Sequence, residues 1–336
     1  MRPYDSLVDR GFNRFVTAYN QPGFDFNVNV ARLIVCAFLI WKLLSRDFGF
    51  FGHVPEQVFY FYPIEIYPLD KWVLWTGLPV LSEVLTFHWL HWFIPRPGET
   101  ALRVIQGVAI GSLLLLALFG RGPRNAILII TYCVLIYLWG YVFLLGQDVD
   151  AVDLYFGILI ALAVSTFAEV PIWRLPALYD RPKTVDGGRS FSNVVLVLVL
   201  YYFASGMRKL TDITPIEWFR YDLVEAIEEH SIRAAHGTLG TFDVFQHLHG
   251  LTFLNYVGPP AAYLSHLLVP MVFFRRSLIL KFFLFYFAFH LLTFGVGISF
   301  SGYILVWSVL FPYREMMAWV AKRFRILARG ATGART

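Results

Sequence analysis

The sequence predicts an all-α membrane protein, a polytopic bundle of about eight transmembrane helices, from three observations. Hydrophobic residues make up 57% of the 336 residues and charged residues only 15%, whereas about a quarter of the residues of a soluble domain are charged. Aromatic residues reach 18%, which suits lipid-facing helices and the interfacial belts where Trp and Tyr rings lie at headgroup depth. The third observation is a series of apolar runs of about the 20 residues that cross a hydrocarbon core of about 30 Å.

Eight apolar runs meet or approach that length, and each should be a helix because backbone groups cannot stay unpaired in lipid. They define a membrane domain over residues 29–320, between an N-terminal segment 1–28 and a basic tail 321–336. No removable signal peptide precedes the first run, which is expected to act as the insertion signal. The runs cover residues 29–47, 102–120, 124–145, 153–170, 192–209, 251–274, 277–296 and 298–319.

Loop charges predict that both termini are cytoplasmic. We expect a multi-pass protein of a cell membrane, with a bacterial inner membrane favoured. Five basic segments then share one side, in agreement with the positive-inside rule. Lys42 and Arg46, at the outer end of the first span, are an exception. The five segments are the N-terminus with Arg2, Arg10 and Arg14, the loop 120–124, the loop with Arg174, Arg181, Lys183 and Arg189, the pair Arg275 and Arg276, and the tail.

Two external segments are predicted, at residues 48–101 and 210–250. Within the first, residues 71–94 are long enough to cross the membrane, but a ninth span would reverse every later loop. We therefore interpret them as an interfacial or re-entrant helix. The second segment contains an expected amphipathic helix from Pro215 to about His230.

The candidate functional residues are ionisable groups within or beside the spans, since a charge at mid-bilayer costs roughly 2.5–3.5 kcal/mol. Lys209 ends the fifth span, and His290 lies about six residues inside the outer end of its own span. The alternatives are that Lys209 and Arg208 only extend toward the headgroups, and that His290 is a hydrogen-bonded packing residue. The net charge of +5 fits anionic headgroups better than nucleic acid.

Several common sites are not favoured. The pairs His88/His91 and His247/His249 have ligand-like spacing but no nearby Cys or Glu at familiar spacing, so surface histidines are favoured over a metal site. Cys36 and Cys133 lie inside apolar runs, which argues against a disulfide scaffold. The sequence has no GxSxG, phosphate-loop, CxxC or HExxH motif.

The run YYFASGMRKL, residues Tyr201–Leu210, followed by Trp218, resembles a motif of the vitamin K-dependent gamma-carboxylases. These enzymes belong to the horizontally transferred transmembrane (HTTM) domain family. Arg32, the stretch Tyr137–Leu159 and the block Val269–His290 with the following GISFSGYILVWSVLFP are similar to other parts of that family in the same order. The resemblance covers nearly the whole chain and implies an HTTM-like membrane domain.

In the carboxylases, the second basic residue of the motif is a lysine proposed as the base that activates vitamin K hydroquinone. The resemblance places Lys209 at that position, beside Arg208, and matches His290 to a histidine of the reaction centre. A dehydrated helix end beside a second cation would favour the neutral, basic form of a lysine. Supporting positions implied by the resemblance are Trp218, His266 and Asp153.

The sequence departs from the carboxylases in ways that matter for activity. The 336 residues contain no counterpart of the lumenal domain that captures the carboxylated substrate. Val152 and Asp153 stand near the position of a family histidine, and Ser265, followed by His266, stands at an acidic position. The spacing from Lys209 to Trp218 is also longer. Because a fold does not establish a function, gamma-carboxylation itself is not carried over.

Two functions are therefore expected as alternatives. The first is an enzyme, oxidoreductase or lyase-like, which acts on a reduced quinone or another lipophilic substrate at the extracytoplasmic face. The second is a non-catalytic membrane protein that assists the maturation, export or immunity of a secreted peptide. A transporter is disfavoured because the sequence shows no internal repeat.

Overall fold

The computed structural model describes residues 5–54, 97–120, 124–144, 152–212, 253–295 and 305–333. Regular structure in these ranges is helical, apart from one isolated bridge between Gly23 and Thr184, so the predicted all-α class is confirmed. Residues 71–94 and the segment from Pro215 to His230, each predicted as an external helix, lie outside these ranges. The α-helices are α1 (Asp5–Tyr19), α2 (Asp25–Leu44), α3 (Glu99–Phe119), α4 (Arg124–Leu144), α5 (Val152–Ala163), α6 (Pro176–Tyr179), α7 (Val185–Asp212), α8 (Phe253–Leu268), α9 (Pro270–Phe274), α10 (Ile279–Gly295) and α11 (Tyr313–Gly333).

Three helices of the described ranges are long and apolar enough to cross a membrane. They are Asp25–Leu44, Glu99–Phe119 and the part Val185–Met207 of α7, and they coincide with the first, second and fifth predicted spans. Helix α3 leaves Val104, Leu114, Leu115 and Leu118 exposed. A continuous apolar surface of this kind suits contact with lipid better than contact with water.

Two predicted spans are interrupted. The run 153–170 is helical only as far as Ala163, and its last residues lie in the loop after α5. The run 298–319 contains a 3₁₀ turn at Trp307–Leu310 and an extended residue, Phe311, before α11 begins. Phe311 precedes Pro312, and a residue before proline is sterically excluded from the helical conformation.

A third predicted span, 251–274, is interrupted at Val269. Helix α8 ends at Leu268 and α9 begins at Pro270, which lacks the amide proton needed to continue the helical hydrogen bonding. The tail predicted at 321–336 is helical as far as Gly333, because α11 continues through it.

Helix α2 forms the centre of the bundle and packs against α3, α5, α7 and the turn Trp307–Leu310. Its buried side chains cover most of the helix surface and include Val28, Val35 and Leu39. The Phe38 ring stacks on Tyr155 of α5 with centroids 3.7 Å apart. One narrow face, with Trp41 and Leu44, stays exposed, and the rest of α2 packs against its neighbours and fixes their relative positions.

One end of the bundle, which we call the basic end, gathers the five segments that the charge pattern assigns to one side. Arg276 donates to Ser192 Oγ at 2.7 Å and to the Ala18 carbonyl at 3.4 Å. Arg314 Nε donates to the Tyr179 carbonyl at 2.9 Å, and the Cβ position of Gly120 lies 3.0 Å from Val170. The N-terminal segment, the loops near 120 and 170–189, Arg276 and the start of α11 therefore meet in space.

Candidate functional site

The helices that carry the two predicted catalytic residues, α7 and α10, run in the same direction and touch through long side chains. Arg276, in the turn before α10, contacts Ser192 near the start of α7, a pair separated by 84 residues in the chain. Ten residues further along the chain, the rings of Tyr286 and Tyr202 lie 4.6 Å apart, again with an offset of 84. The equal offset at the two contacts indicates that the chain runs in the same direction in both helices.

Four aromatic side chains meet where these helices touch. This tyrosine cluster consists of Tyr202 of α7, His266 of α8, Tyr286 of α10 and Trp307. The Tyr286 and Trp307 rings are stacked nearly parallel, at 10° with centroids 5.1 Å apart, and the His266 ring lies 5.4 Å from Tyr202. The Tyr202 ring is tilted by 36–48° to the other three, and all four residues are buried, so the cluster is a packed aromatic group with polar atoms at its edges.

Polar groups of the tyrosine cluster offer hydrogen bonds inside the bundle. Ser265 Oγ and the Tyr286 hydroxyl lie 3.0 Å apart, and Ser265 also donates to the Ala262 carbonyl at 2.6 Å. Trp307 Nε1 is buried and has no hydrogen-bond partner among the residues that the structure describes. A buried indole N–H of this kind can donate to a ligand oxygen.

Gly206 allows α8 to approach α7 beside the cluster. A Cβ atom at this position would lie 2.9 Å from His266 Cβ and 3.3 Å from Leu267 Cδ2. Any larger residue would push α8 away, so the glycine holds His266 against Tyr202. Gly206 belongs to the run Tyr201–Leu210 that the sequence analysis singled out, but its packing role is visible only in the structure.

The structure places the backbone of both predicted catalytic residues beyond the tyrosine cluster, on the side away from the basic end. Lys209 follows Tyr202 by seven residues, about 10.5 Å along α7, and His290 follows Tyr286 by four residues, about 6 Å along α10. Both residues therefore follow the cluster by no more than about two turns of their helices.

The supporting residues do not all join this site. His266 belongs to the tyrosine cluster, while Arg208 precedes Lys209 in the last turns of α7. Asp153 lies in the first turn of α5, and Trp218 lies outside the described residues. The side chains of Lys209, Arg208, His290 and Asp153 likewise lie outside the described part of the structure.

A second polar site, toward the basic end, was not singled out by the sequence analysis. Arg32 Nη1 donates to Glu169 Oε1 at 2.8 Å, and both side chains are 4% exposed. Arg32 Nη2 donates to the carbonyls of Val170 at 2.8 Å and of Ala117 at 3.4 Å. The pair therefore links α2 to the end of α3 and to the loop after α5.

Two further side chains of α2 bind the same loop. Asn29 donates to the Ala168 carbonyl at 2.9 Å and accepts from the Val170 amide at 3.2 Å, while Asp25 accepts from the Ala168 amide at 3.2 Å. Asp25, Asn29 and Arg32 are four and three residues apart, the spacing that places residues on one helix face. We call these three residues the polar row. Their spacing was the signal in the sequence from which this site could have been found.

A small cavity adjoins the ion pair and has room for about one water molecule. Arg32, Glu169, Leu116, Leu159 and Ala163 belong to its lining. Arg32 Nε is buried without a hydrogen-bond partner among the described residues, so a water in this cavity is the natural partner for it. We interpret the polar row as structural, because its other donors and acceptors are used to hold the loop.

No group of three or more His, Cys, Asp or Glu residues that could hold a metal ion occurs within the ranges that the structure describes. Comparison of the chain with protein-family models, with curated proteins and with solved structures gave no match.

Proposed function

We propose that the chain is an eight-span membrane protein of the HTTM type that binds a reduced quinone or a similar flat lipophilic molecule above the tyrosine cluster. The basic end faces the cytoplasm, so that the site opens toward the extracytoplasmic side. The contact between Tyr202 of α7 and Tyr286 of α10 carries this proposal, because Lys209 and His290 both follow that contact by no more than about two turns of their helices.

The tyrosine cluster suits such a substrate in its chemistry. Its aromatic rings are buried beside the proposed site, and a quinone ring that enters there can pack against them in the offset arrangement that aromatic pairs favour. Trp307 Nε1 can donate a hydrogen bond to a quinone oxygen at the edge of the cluster.

The proposed chemical step is a proton transfer. The neutral amine of Lys209 accepts the proton of a hydroquinone hydroxyl, which leaves an ammonium group and a quinolate anion. His290, as a neutral imidazole, donates a hydrogen bond to the developing oxygen anion. The resemblance to the carboxylases supports these two roles. The positions of Lys209 and His290, both a short way beyond the tyrosine cluster, are compatible with both residues reaching one molecule.

Replacing Lys209 by Ala should reduce hydroquinone turnover in proteoliposomes by about 10²–10⁴-fold, the usual contribution of a positioned general base. His290→Ala should reduce it as well, because it removes a donor to the anion. Matched controls are Lys281→Ala, an exposed lysine at the other end of α10, and His53→Ala, whose side chain is 66% exposed. Both controls should retain the parent rate.

The variants also distinguish an enzyme from a non-catalytic protein. Quinone binding, followed by quenching of Trp fluorescence, should survive in Lys209→Ala if the residue acts as a base. Turnover that is unchanged in both site variants would remove their catalytic role. It would favour the alternative of a membrane protein that assists a secreted peptide.

The eight-span arrangement predicts that the loops 121–124 and 146–152 lie on opposite sides of the membrane. Single cysteines introduced as Gly122→Cys and Gln147→Cys, in a Cys133→Ser background, should react with an impermeant maleimide from opposite sides. Cys36 does not interfere because it is buried. Labelling of both positions from the same side would contradict this arrangement.

A further inference from the structure

The C-terminal helix α11 contacts the rest of the protein mainly through its first turn. Asn27 Nδ2 donates to Glu315 Oε2 at 3.0 Å, and the Arg314 amide donates to Asn27 Oδ1 at 2.9 Å. The Tyr313 hydroxyl donates to the Ser308 carbonyl at 2.8 Å. Beyond these contacts, all residues from 315 to 323 are exposed. The helix is thus fixed at its start, at the basic end, and exposed from residue 315 to residue 323.

The exposed part of α11 has an apolar face. Met316, Met317 and Val320 are 39%, 50% and 37% exposed. The same spacing continues along the helix at Phe324 and Leu327. Apolar residues at intervals of three and four positions form a single stripe, and its part from Met316 to Val320 is exposed, which marks a binding surface.

Helix α11 contains five basic residues and one acidic residue, Glu315. Three of the five basic residues, Lys322, Arg325 and Arg329, occupy the face opposite the stripe. Lys322 follows Met317 by five positions, which is a rotation of about 140° around the helix. Arg325 and Arg329 share the side of Lys322 by the same geometry. Trp319, 58% exposed, lies under the Arg323 guanidinium at 5.3 Å, a combination typical of headgroup depth.

We propose that α11 lies in the plane of the membrane at the basic end and binds anionic phospholipid headgroups. Its apolar stripe enters the boundary of the acyl chains, and its basic face meets the phosphates. The charge of the helix selects this occupant, because a strongly basic surface is complementary to an anionic lipid and a lipid surface also covers an apolar stripe. The start of α11 contacts the first turn of α2, which is one end of a helix long enough to cross the membrane. This contact places α11 at the depth of the membrane surface.

The test places nitroxide labels on the two faces of α11 in the full chain, in nanodiscs with and without phosphatidylglycerol. The variants are Met317→Cys and Lys322→Cys, each in a Cys133→Ser background. With anionic lipid, the label at 317 should gain collisions with oxygen and lose collisions with a water-soluble nickel complex. The label at 322 should show the reverse. In nanodiscs of phosphatidylcholine alone the difference should weaken.

The charge dependence is tested by replacing Lys322 and Arg325 with Gln in the Met317→Cys protein. Each charge removed should lower the apparent affinity for phosphatidylglycerol about fivefold, the ratio that corresponds to about 1 kcal/mol per basic residue near an anionic surface. Raised salt should also lower the apparent affinity for phosphatidylglycerol, because it screens the charges.

Three results would overturn the proposal. Equal nickel collisions at 317 and 322 in anionic nanodiscs would mean that the helix stands clear of the bilayer. Protection at 317 that is identical with and without anionic lipid would exclude headgroup charge as the determinant. A short label-to-label distance between copies, with protection that persists in detergent, would identify a second copy as the occupant.

Discussion

Replacing Arg32 by Met should lower the free energy of unfolding by about 3–5 kcal/mol, one of the largest effects expected for a single substitution in this chain. The variant leaves the Glu169 carboxylate, 4% exposed, without the guanidinium that lies 2.8 Å away. Removal of one partner of a buried ion pair costs this much because the remaining charge is uncompensated. The carbonyls of Val170 and Ala117 lose their donor as well.

The matched control for this prediction is Arg103→Met. Arg103 also pairs with carboxylates, Asp47 at 3.2 Å and Glu99 at 2.8 Å, but its side chain is 56% exposed. Exposed pairs contribute about 0–1 kcal/mol, so this variant should be nearly as stable as the parent.

A double variant, Arg32→Met with Glu169→Met, separates the charge from the packing. It should lose less stability than Arg32→Met alone, because no buried charge remains. Chemical unfolding in mixed micelles, with the same detergent for all variants, measures the series. An equal loss for Arg32→Met and Arg103→Met would show that burial of the ion pair is not what stabilises the loop.

The positions of most helices follow from the sequence because apolar run length is a local property. The runs 29–47, 102–120 and 124–145 correspond to α2, α3 and α4 within a few residues. Helix interruptions occur at Pro270 and before Pro312, and both prolines can be read in the sequence. The predicted spans 251–274 and 298–319 nevertheless ran through them, because the flanking residues are as apolar as those of a continuous span.

The polar row and its loop could not be placed by run length. Glu169 lies 137 residues from Arg32, and nothing local to Glu169 indicates its partner. The run 153–170 counted Ser165, Thr166 and Glu169 as tolerable interruptions of a span. In the structure they follow the end of α5, in the segment whose backbone binds Asn29 and Asp25. Partners that are distant in sequence must be found in three dimensions.

The candidate site shows the same division. The sequence singled out Lys209 and His290 individually, from their depth in apolar runs and from the family resemblance. It could not supply the common direction of α7 and α10 or the contacts that join them, such as that of Arg276 with Ser192. The tyrosine cluster likewise combines residues from four segments, and of its members only His266 was singled out in advance.

Replacing Gly188 by Ala should destabilise the protein by about 3 kcal/mol or more, the upper range for steric overpacking. The new Cβ would lie 2.0 Å from the Gln21 carbonyl oxygen, which belongs to the backbone and has no rotamer with which to move away. The connection between α1 and α2 would have to shift. That shift would strain the paired hydrogen bonds between Gly23 and Thr184, at 3.0 and 2.8 Å.

A graded series of glycine variants tests whether this close approach is the cause. Gly23→Ala meets Gly188 Cα at 3.0 Å, a milder conflict, and should cost less. Gly11→Ala, inside α1 with nothing within 4 Å of its Cβ position, should stabilise the helix by up to about 1 kcal/mol. Thermal unfolding should therefore rank the variants as Gly188→Ala lowest, then Gly23→Ala, then Gly11→Ala. If Gly188→Ala proved as stable as Gly11→Ala, the α1–α2 connection would not pack on the start of α7. The anchoring of Arg276, just before α10, would then need another explanation. Its guanidinium reaches the carbonyls of Ala18 and Gly188, each at 3.4 Å, where the α1–α2 connection meets the start of α7.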